Sequence, residues 1–316
     1  MSTTVAMREI TFTSRGVQCA AWHLTASSSA FATERGRPCV VIGHGFGGTR
    51  DTGLLGYAEG FAAAGFDVLV FDYRGFGDSA GSPRQRVSYR RQRADYRAAI
   101  AAARALDGVD PDRIVLWGTS YSGGHVVPVS VADGRIAAIV AMTPAMDGLA
   151  ALVALIKHSP RALVPLVLHG LRDAVRAALG RRPHYLPIVA LPGATAMMTA
   201  PGAAERYLAV AGPTWRNEVC ARVVLAVAFN RPTRMASKVR CPMLVQVGEH
   251  DTVAPPAAAR RAAAKAGAVA QLRTYPVDHF DVYEGVWQQR ALADQLDFLS
   301  GAVTRDVPLL ATADAS

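Results

Sequence analysis

A serine follows an apolar run in a stretch of small residues, 114–125. Four apolar residues predict a buried strand, Gly118 precedes Ser120 by two positions, and a helix is predicted to begin near Val126. A serine at such a strand–turn–helix corner presents its hydroxyl beyond the sheet, next to a helix N-terminus that favours negative charge. Ser122 replaces the last glycine of the usual G-x-S-x-G pattern. A purely structural turn therefore stays open as the alternative to a nucleophile.

A serine hydroxyl needs a base to become a nucleophile, and a histidine base needs an acceptor that fixes its tautomer. Asp251 follows the predicted strand 243–247, and His279 follows the predicted strand 271–275. The sequence therefore predicts a catalytic triad of Ser120, Asp251 and His279.

Four other residues compete for these roles. Ser122 has no glycine two positions before it, and Asp147 follows another predicted strand, where it could replace Asp251 as the acid. His250 adjoins Asp251 in the sequence and is expected to point away from it. His125 is expected to lie on the helix beneath the turn.

An acyl-transfer site also needs hydrogen-bond donors for the oxyanion. The backbone N–H of Tyr121, directly after the serine, should supply one donor. The backbone N–H of Phe46, in the turn 43–48, should supply the other. This glycine-rich turn lacks the Gly-Lys-Ser/Thr ending of a phosphate-binding loop.

The elements around these residues alternate between strands and helices, which predicts a parallel sheet with helices on both faces. Ligands bind beyond the carboxyl ends of the strands in such sheets, and Ser120, Asp251 and His279 all fall there. The polar loop 72–79 also follows a strand, and we interpret Asp72 and Arg74 as residues that stabilise this loop.

The alternation stops between Ala145 and Arg234, where prolines interrupt short apolar segments and no strand is predicted. We interpret this segment as a set of short helices. It could cover an apolar pocket or extend the core, and contact with a membrane surface is a third interpretation.

The composition indicates a large core and argues against one class of protein. The chain has 316 residues, of which 51% are hydrophobic and 19% charged, so a large core is expected. The net charge is +9, but 31 of the 34 basic residues are arginine and they are spread along the chain. This distribution argues against nucleic-acid binding.

The four cysteines show no C-x-x-C spacing, which predicts free thiols and a reducing compartment. No signal pattern or long uncharged apolar run is found, so we expect a cytoplasmic protein without stable membrane insertion.

The motifs together resemble those of α/β-hydrolase-fold serine hydrolases, in which the triad residues occur in the order Ser, Asp, His. The residues that carry the resemblance are the turn 44–48, the loop 72–79, the turn 118–124 and the acid turn 248–255. Among these hydrolases the chain is most similar to bacterial esterases and acyl hydrolases of the dienelactone-hydrolase and fermentation-respiration-switch type.

The resemblance implies an α/β fold with a mostly parallel eight-stranded sheet, helices on both faces and a helical cap insertion. Residues 1–144 and 235–316 would form the core domain, and residues 145–234 would form the cap. The resemblance implies no cofactor and no metal.

We expect hydrolysis of a carboxylic ester with a small or medium apolar acyl group, so the expected partner is a small-molecule acyl substrate. Amidase, peptidase, thioesterase or acyltransferase chemistry would use the same triad and stays open. A non-catalytic ligand-binding protein is the alternative from another class. A homodimer stays open beside a monomer.

Overall fold

The computed structural model describes residues 5–304. The described strands are β1 (Met7–Ser14), β2 (Val17–Leu24), β3 (Arg37–Gly43), β4 (Asp67–Phe71), β5 (Val109–Thr119), β6 (Ala138–Met142), β7 (Tyr185–Leu186), β8 (Val219–Cys220), β9 (Met243–Gly248) and β10 (Ala270–Tyr275). The described α-helices are α1 (Leu55–Ala64), α2 (Tyr89–Arg104), α3 (Ser120–Asp133), α4 (Gly148–His158), α5 (Pro160–Ala178), α6 (Ala203–Val210), α7 (Pro256–Ala266) and α8 (Gly285–Val303).

Eight strands form one sheet in the order β1-β2-β4-β3-β5-β6-β9-β10. The first two pairings, β1 with β2 and β2 with β4, are antiparallel, and the other pairings are parallel. β3, β4, β6 and β9 are buried along almost their whole length, as expected for parallel strands covered on both faces. The predicted mostly parallel eight-stranded sheet is confirmed.

The direction of each crossover determines the face on which its helix lies. The chain moves one way from β3 to β4 and the opposite way from β4 to β5, so right-handed crossovers put α1 and α2 on opposite faces. α1 packs against α8, and α2 packs against α3. β3 and β5 are neighbours, and Gly43 is paired with Gly118 near their carboxyl ends. The loops after these two strands therefore start side by side.

The segment between β6 and β9 differs from the prediction of short helices without strands. α5 extends over 19 residues, and β7 pairs with β8 in a small antiparallel sheet. Pro160 occupies the first turn of α5, where the missing N–H costs no helical hydrogen bond, and Pro165 lies inside this helix. Proline content was therefore a misleading guide to helix length. The assignment of residues 145–234 as a separate cap domain stays a prediction.

The predicted start of α3 is also wrong. This helix begins at Ser120 itself, six residues before Val126. Gly123 and Gly124 lie inside the helix, where their lack of side chains lets it pack closely against Pro144 and Ala145.

The loop after β4 has the structural role that its sequence predicts. The Asp72 carboxylate accepts hydrogen bonds from the backbone N–H groups of Arg50, at 2.7 Å, and Asp78, at 3.2 Å. Arg74 forms a buried ion pair with Asp95 of α2. These contacts connect the loop to two neighbouring elements.

All four cysteines are free thiols, as predicted, and Cys241 is only partly buried. Among residues 5–304, no helix combines the length and the hydrophobicity needed to cross a bilayer.

A chain of buried polar side chains joins the sheet to α8. Gln295 accepts a hydrogen bond from Trp117 Nε1 at 2.9 Å and donates to Gln246 Oε1 at 2.6 Å. Gln246 in turn donates to the hydroxyl of Tyr275 at 2.7 Å. Because a buried donor without a partner is costly, these side chains restrict how α8 can pack on the sheet.

We predict that Gln295→Met lowers the free energy of unfolding by about 1–3 kcal/mol, because it leaves the buried Trp117 N–H without an acceptor. The measurement is chemical denaturation. Gln289→Met, at an exposed position of the same helix, is the matched control and should change stability by less than about 0.5 kcal/mol. Equal effects of the two substitutions would contradict the assigned role of Gln295.

Candidate active site

Ser120 stands at the junction of β5 and α3 in a left-handed backbone conformation, with φ of +53°. A Cβ atom at Gly118 would lie 2.4 Å from the carbonyl oxygen of Ser122. A Cβ atom at Gly124 would lie 2.4 Å from the carbonyl oxygen of Ala145. Only glycine fits these two positions. The turn therefore projects the Ser120 side chain beyond the sheet, at the N-terminus of α3.

His279 lies between Ser120 and Asp251. Its Nε2 atom is 3.0 Å from Ser120 Oγ, and its Nδ1 atom is 2.7 Å from Asp251 Oδ2. Because an ionised carboxylate only accepts hydrogen bonds, the network assigns the ring proton to Nδ1 and leaves Nε2 to accept from the serine hydroxyl. The structure thus brings the three predicted side chains into one hydrogen-bonded row.

The Asp251 carboxylate is fixed on both of its oxygen atoms. Oδ1 accepts hydrogen bonds from the backbone N–H groups of Val253, at 2.9 Å, and Ala254, at 2.6 Å. Oδ2 is left to face His279. This side chain is only 2% exposed, so little water competes for its hydrogen bonds.

Asp278 connects the loop of the acid to the loop of the histidine, a role that the sequence analysis missed. Its Oδ1 atom accepts from the backbone N–H groups of Thr252, at 2.9 Å, and His279, at 2.7 Å. Burial raises the pKa of Asp278, but these donors outweigh it and keep that pKa below the usual value. The carboxylate is therefore ionised at neutral pH and aligns both loops. Its position next to His279 was the only sequence signal.

The loop after β3 passes directly beside Ser120. A Cβ atom at Gly45 would lie 3.2 Å from Ser120 Cβ, and the ring of Phe46 packs edge-on against that of Tyr121 at 5.5 Å. Tyr121 is the second residue of α3, where backbone N–H groups have no partner within the helix. The two predicted donor residues, Phe46 and Tyr121, thus lie together at the serine. Their role in an oxyanion hole stays a prediction.

His44 lies at the start of this loop, and the sequence analysis did not predict its structural role. Burial lowers the pKa of His44 to about 4, so the ring is neutral at ordinary pH. Its Nδ1 atom lies 3.0 Å from the carbonyl oxygen of Gly45 and must therefore carry the proton. Its Nε2 atom accepts a long hydrogen bond, 3.5 Å, from the backbone of Tyr73. A neutral, buried ring fixes the start of the loop without adding charge.

Ser122, the competing candidate for the nucleophile, is fully buried, and its hydroxyl bonds to the backbone instead of to His279. This hydroxyl donates to the carbonyl oxygen of Gly43 at 2.5 Å and accepts from the Thr119 backbone N–H at 3.0 Å. The side chain therefore links the end of β3 to the turn that carries Ser120. This contact explains why a serine replaces the usual glycine at this position.

Asp147, His250 and His125 also lie outside the hydrogen-bonded row. Asp147 caps the N-terminus of α4 and forms an ion pair with Arg231 at 3.0 Å. His250 is exposed. His125 is buried in α3, 3.2 Å from Gln92, and burial lowers its pKa well below the usual value. It therefore stays neutral.

A narrow apolar cleft of about 350 Å³, counted with its open mouth, adjoins the serine. Its apolar and aromatic lining comprises Phe46, Met198, Tyr207, Val210, Phe280 and Tyr283. Three of these, Met198, Tyr207 and Val210, belong to the segment between β6 and β9. The Tyr207 hydroxyl donates to the carbonyl oxygen of Phe46 at 3.0 Å, so this segment contacts the loop beside Ser120 directly.

Comparisons with known proteins identify the family of the chain. Residues 34–278 match the family model Hydrolase_4, described as serine aminopeptidase, S33. The quorum-quenching protein AidA of Acinetobacter baumannii strain MDR-ZJ06 is 39% identical over 297 residues, which cover 93% of this chain and 95% of that protein. The thiohydrolase aneE of Aspergillus aculeatus is 36% identical over 114 residues, 36% of each chain.

Similarity to solved structures identifies the fold of the chain. The alpha/beta hydrolase GrgF from Penicillium sp. sh18 superposes with a TM-score of 0.78 at 22% identity, over 95% of this chain and all of that one. Identity at this level speaks for the fold alone, and it confirms the predicted α/β-hydrolase fold.

We predict that Ser122→Ala lowers the free energy of unfolding by about 1–3 kcal/mol, because the buried carbonyl group of Gly43 loses its hydrogen-bond donor. Chemical denaturation measures this loss. A fluorophosphonate should still form its adduct on Ser120 in this variant, as mapped by mass spectrometry. An adduct on Ser122 in the unmodified protein would contradict the assignment of the two serines.

Proposed function

Because this chain belongs to the serine aminopeptidase S33 family of hydrolases, we propose that it hydrolyses carboxylic esters with a small or medium apolar acyl group. The observation that carries the proposal is the hydrogen-bonded row of Ser120, His279 and Asp251 at the mouth of an apolar cleft. This row supplies the nucleophile, its base and the acid that orients the base, which are the side chains that acyl-enzyme formation requires.

In the first step Ser120 Oγ attacks the ester carbonyl carbon while His279 Nε2 removes the hydroxyl proton over their 3.0 Å contact. The Asp251 carboxylate keeps the imidazole in the productive tautomer and stabilises the imidazolium. The carbonyl oxygen becomes negatively charged, and the N–H groups of Phe46 and Tyr121 are proposed to bind it. Loss of one such donor typically costs about 3–4 kcal/mol.

Collapse of the tetrahedral intermediate breaks the bond to the alcohol oxygen. His279 returns its proton to this leaving alcohol, and the acyl group remains on Ser120. Water then attacks the acyl-enzyme with His279 as the base, and the acid is released as Ser120 recovers its proton. The sequence of steps consumes one water molecule and regenerates every side chain.

The cleft supports an ester substrate over an aminopeptidase substrate. An aminopeptidase binds the positively charged N-terminus of a peptide, which an acidic side chain would stabilise. None of the described residues that line this cleft is acidic, and most are apolar. Burying an unpaired ammonium group there would be costly. A neutral acyl chain has no such cost.

Thioester hydrolysis or acyl transfer is the second candidate, and the relative named as a thiohydrolase favours it. The same acyl-enzyme would form, and only the leaving group or the acceptor would differ. The test is one panel of p-nitrophenyl esters of increasing acyl length, matching acyl thioesters, a lactone and p-nitroanilides. Greatest turnover on the esters supports the proposal, whereas greatest turnover on the thioesters or anilides overturns it.

We predict that Ser120→Ala lowers kcat by roughly 10⁴-fold or more while the protein keeps its fold, because no other nucleophile adjoins His279 among the described residues. Ester hydrolysis and fluorophosphonate labelling measure the loss, and circular dichroism controls for folding. Full activity of the variant, or a native protein that does not react with the fluorophosphonate, would favour a non-catalytic ligand-binding role.

We predict that Asp251→Asn lowers kcat by about 10²- to 10⁴-fold, because an amide cannot enforce the tautomer with the proton on Nδ1. The matched control is Asp147→Asn. Asparagine is still a good helix cap, so this change should affect kcat little. Steady-state kinetics of both variants test the assignment. The reverse pattern, with the large loss for Asp147→Asn, would refute it.

A further inference from the structure

The outer face of α5 carries a continuous apolar stripe. Val164, Leu168, Leu171 and Val175 of α5 and Leu179, directly after it, are all exposed, and Leu168 keeps 60% of its surface open. Their spacing of three and four residues puts them on one side of the helix. Single exposed hydrophobic residues are ordinary, but a contiguous apolar surface marks an interaction site.

The neighbouring helix repeats the pattern. Leu149, Val153 and Ile156 of α4 are exposed and follow the same helical spacing. α4 and α5 pack against each other, so two apolar stripes lie on adjacent helices. We call these two stripes together the apolar face. None of its residues lines the cleft at Ser120.

The exposed charges on these two helices and directly after them have a single sign. Lys157, Arg161 and Arg172 are exposed on these helices, and so are Arg181 and Arg182 directly after α5. Residues 148–182 contain one acidic side chain, that of Asp173. Its carboxylate is fully buried and already accepts hydrogen bonds from Arg222 at 2.6 and 3.1 Å. The exposed charge of this region is therefore entirely positive.

This charge pattern distinguishes the occupants that could cover the face. A second copy of the chain, docked symmetrically through α5, would bring the same cations together without an exposed acid on either helix. Like charges at an interface are unfavourable. A surface that offers both hydrocarbon and negative charge would satisfy the apolar residues and the arginines together.

We propose that the apolar face docks on a lipid bilayer that contains anionic phospholipids, with α4 and α5 lying in the plane of the headgroups. The stripe from Val164 to Leu179 extends about 22 Å, a length typical of interfacial helices. Binding at the surface requires no spanning helix.

The experiment is co-flotation of the full chain with two kinds of vesicle. One kind contains phosphatidylcholine alone, and the other also contains about 30% phosphatidylglycerol, whose negative charge attracts basic segments. We expect binding to the anionic vesicles at least ten-fold tighter than to the zwitterionic ones. The double variant Leu168→Ser, Val175→Ser should lose at least ten-fold of this binding. The matched control Leu208→Ser, on α6 outside the apolar face, should bind normally.

A second pair of variants tests the charges. Arg161→Gln and Arg172→Gln should each weaken binding to anionic vesicles by about five-fold, whereas Arg261→Gln on α7 should not. Added salt should weaken it as well. Unchanged binding for both arginine variants would overturn the proposal.

Sedimentation velocity tests the alternative that two copies of the chain associate through the apolar face. A dimer that Leu168→Ser dissociates, in a protein that does not float with anionic vesicles, would assign the face to a second copy and overturn the proposal. Failure to float with either vesicle would also overturn it. Ser120→Ala protein should float like the unmodified protein, so the docking proposal and the hydrolase proposal can fail independently.

Discussion

The left-handed backbone conformation at Ser120 is the constraint on which the rest of the site depends. It costs a non-glycine residue about 1–2 kcal/mol, and it is stable only because its surroundings permit no relaxed conformation. Gly118 lets the turn pass against the Ser122 carbonyl group, and the Ser122 hydroxyl bonds to Gly43 of the neighbouring strand. The strained serine is thereby attached to the strand that precedes the Phe46 loop.

The polar groups of the site come from loops that are far apart in the sequence, and backbone N–H groups align them. Asp251 is fixed by two such groups in its own turn, and Asp278 accepts one from each of two loops. Hydrogen bonds from backbone N–H groups therefore restrict both carboxylates, and such supporting contacts are what precise positioning requires.

The sequence was sufficient to predict the sheet, its mostly parallel pairing and the three residues of the row. The apolar pattern of the sequence indicates which strands are buried, and parallel strands bring their carboxyl ends to the same edge of the sheet. The start of α3, the length of α5 and the β7–β8 pair were missed. Glycine and proline are typical of turns but also occur inside helices, and tertiary packing determines which structure forms. The roles of His44, Asp278 and Tyr207 depend on contacts across the fold, and no local pattern encodes such contacts.

The hydrogen bond from Tyr207 to the carbonyl oxygen of Phe46 joins the outer segment to the peptide chain beside Ser120. The same phenol ring lines the cleft, so displacing it to admit a bulky molecule also removes a partner from that carbonyl group. Occupancy of the cleft and order of the loop are therefore thermodynamically linked. A ligand that leaves Tyr207 in position keeps the loop aligned, whereas a ligand that displaces it binds at the expense of that alignment. A bulky ligand would therefore bind more weakly than a ligand that leaves the Tyr207 hydrogen bond intact.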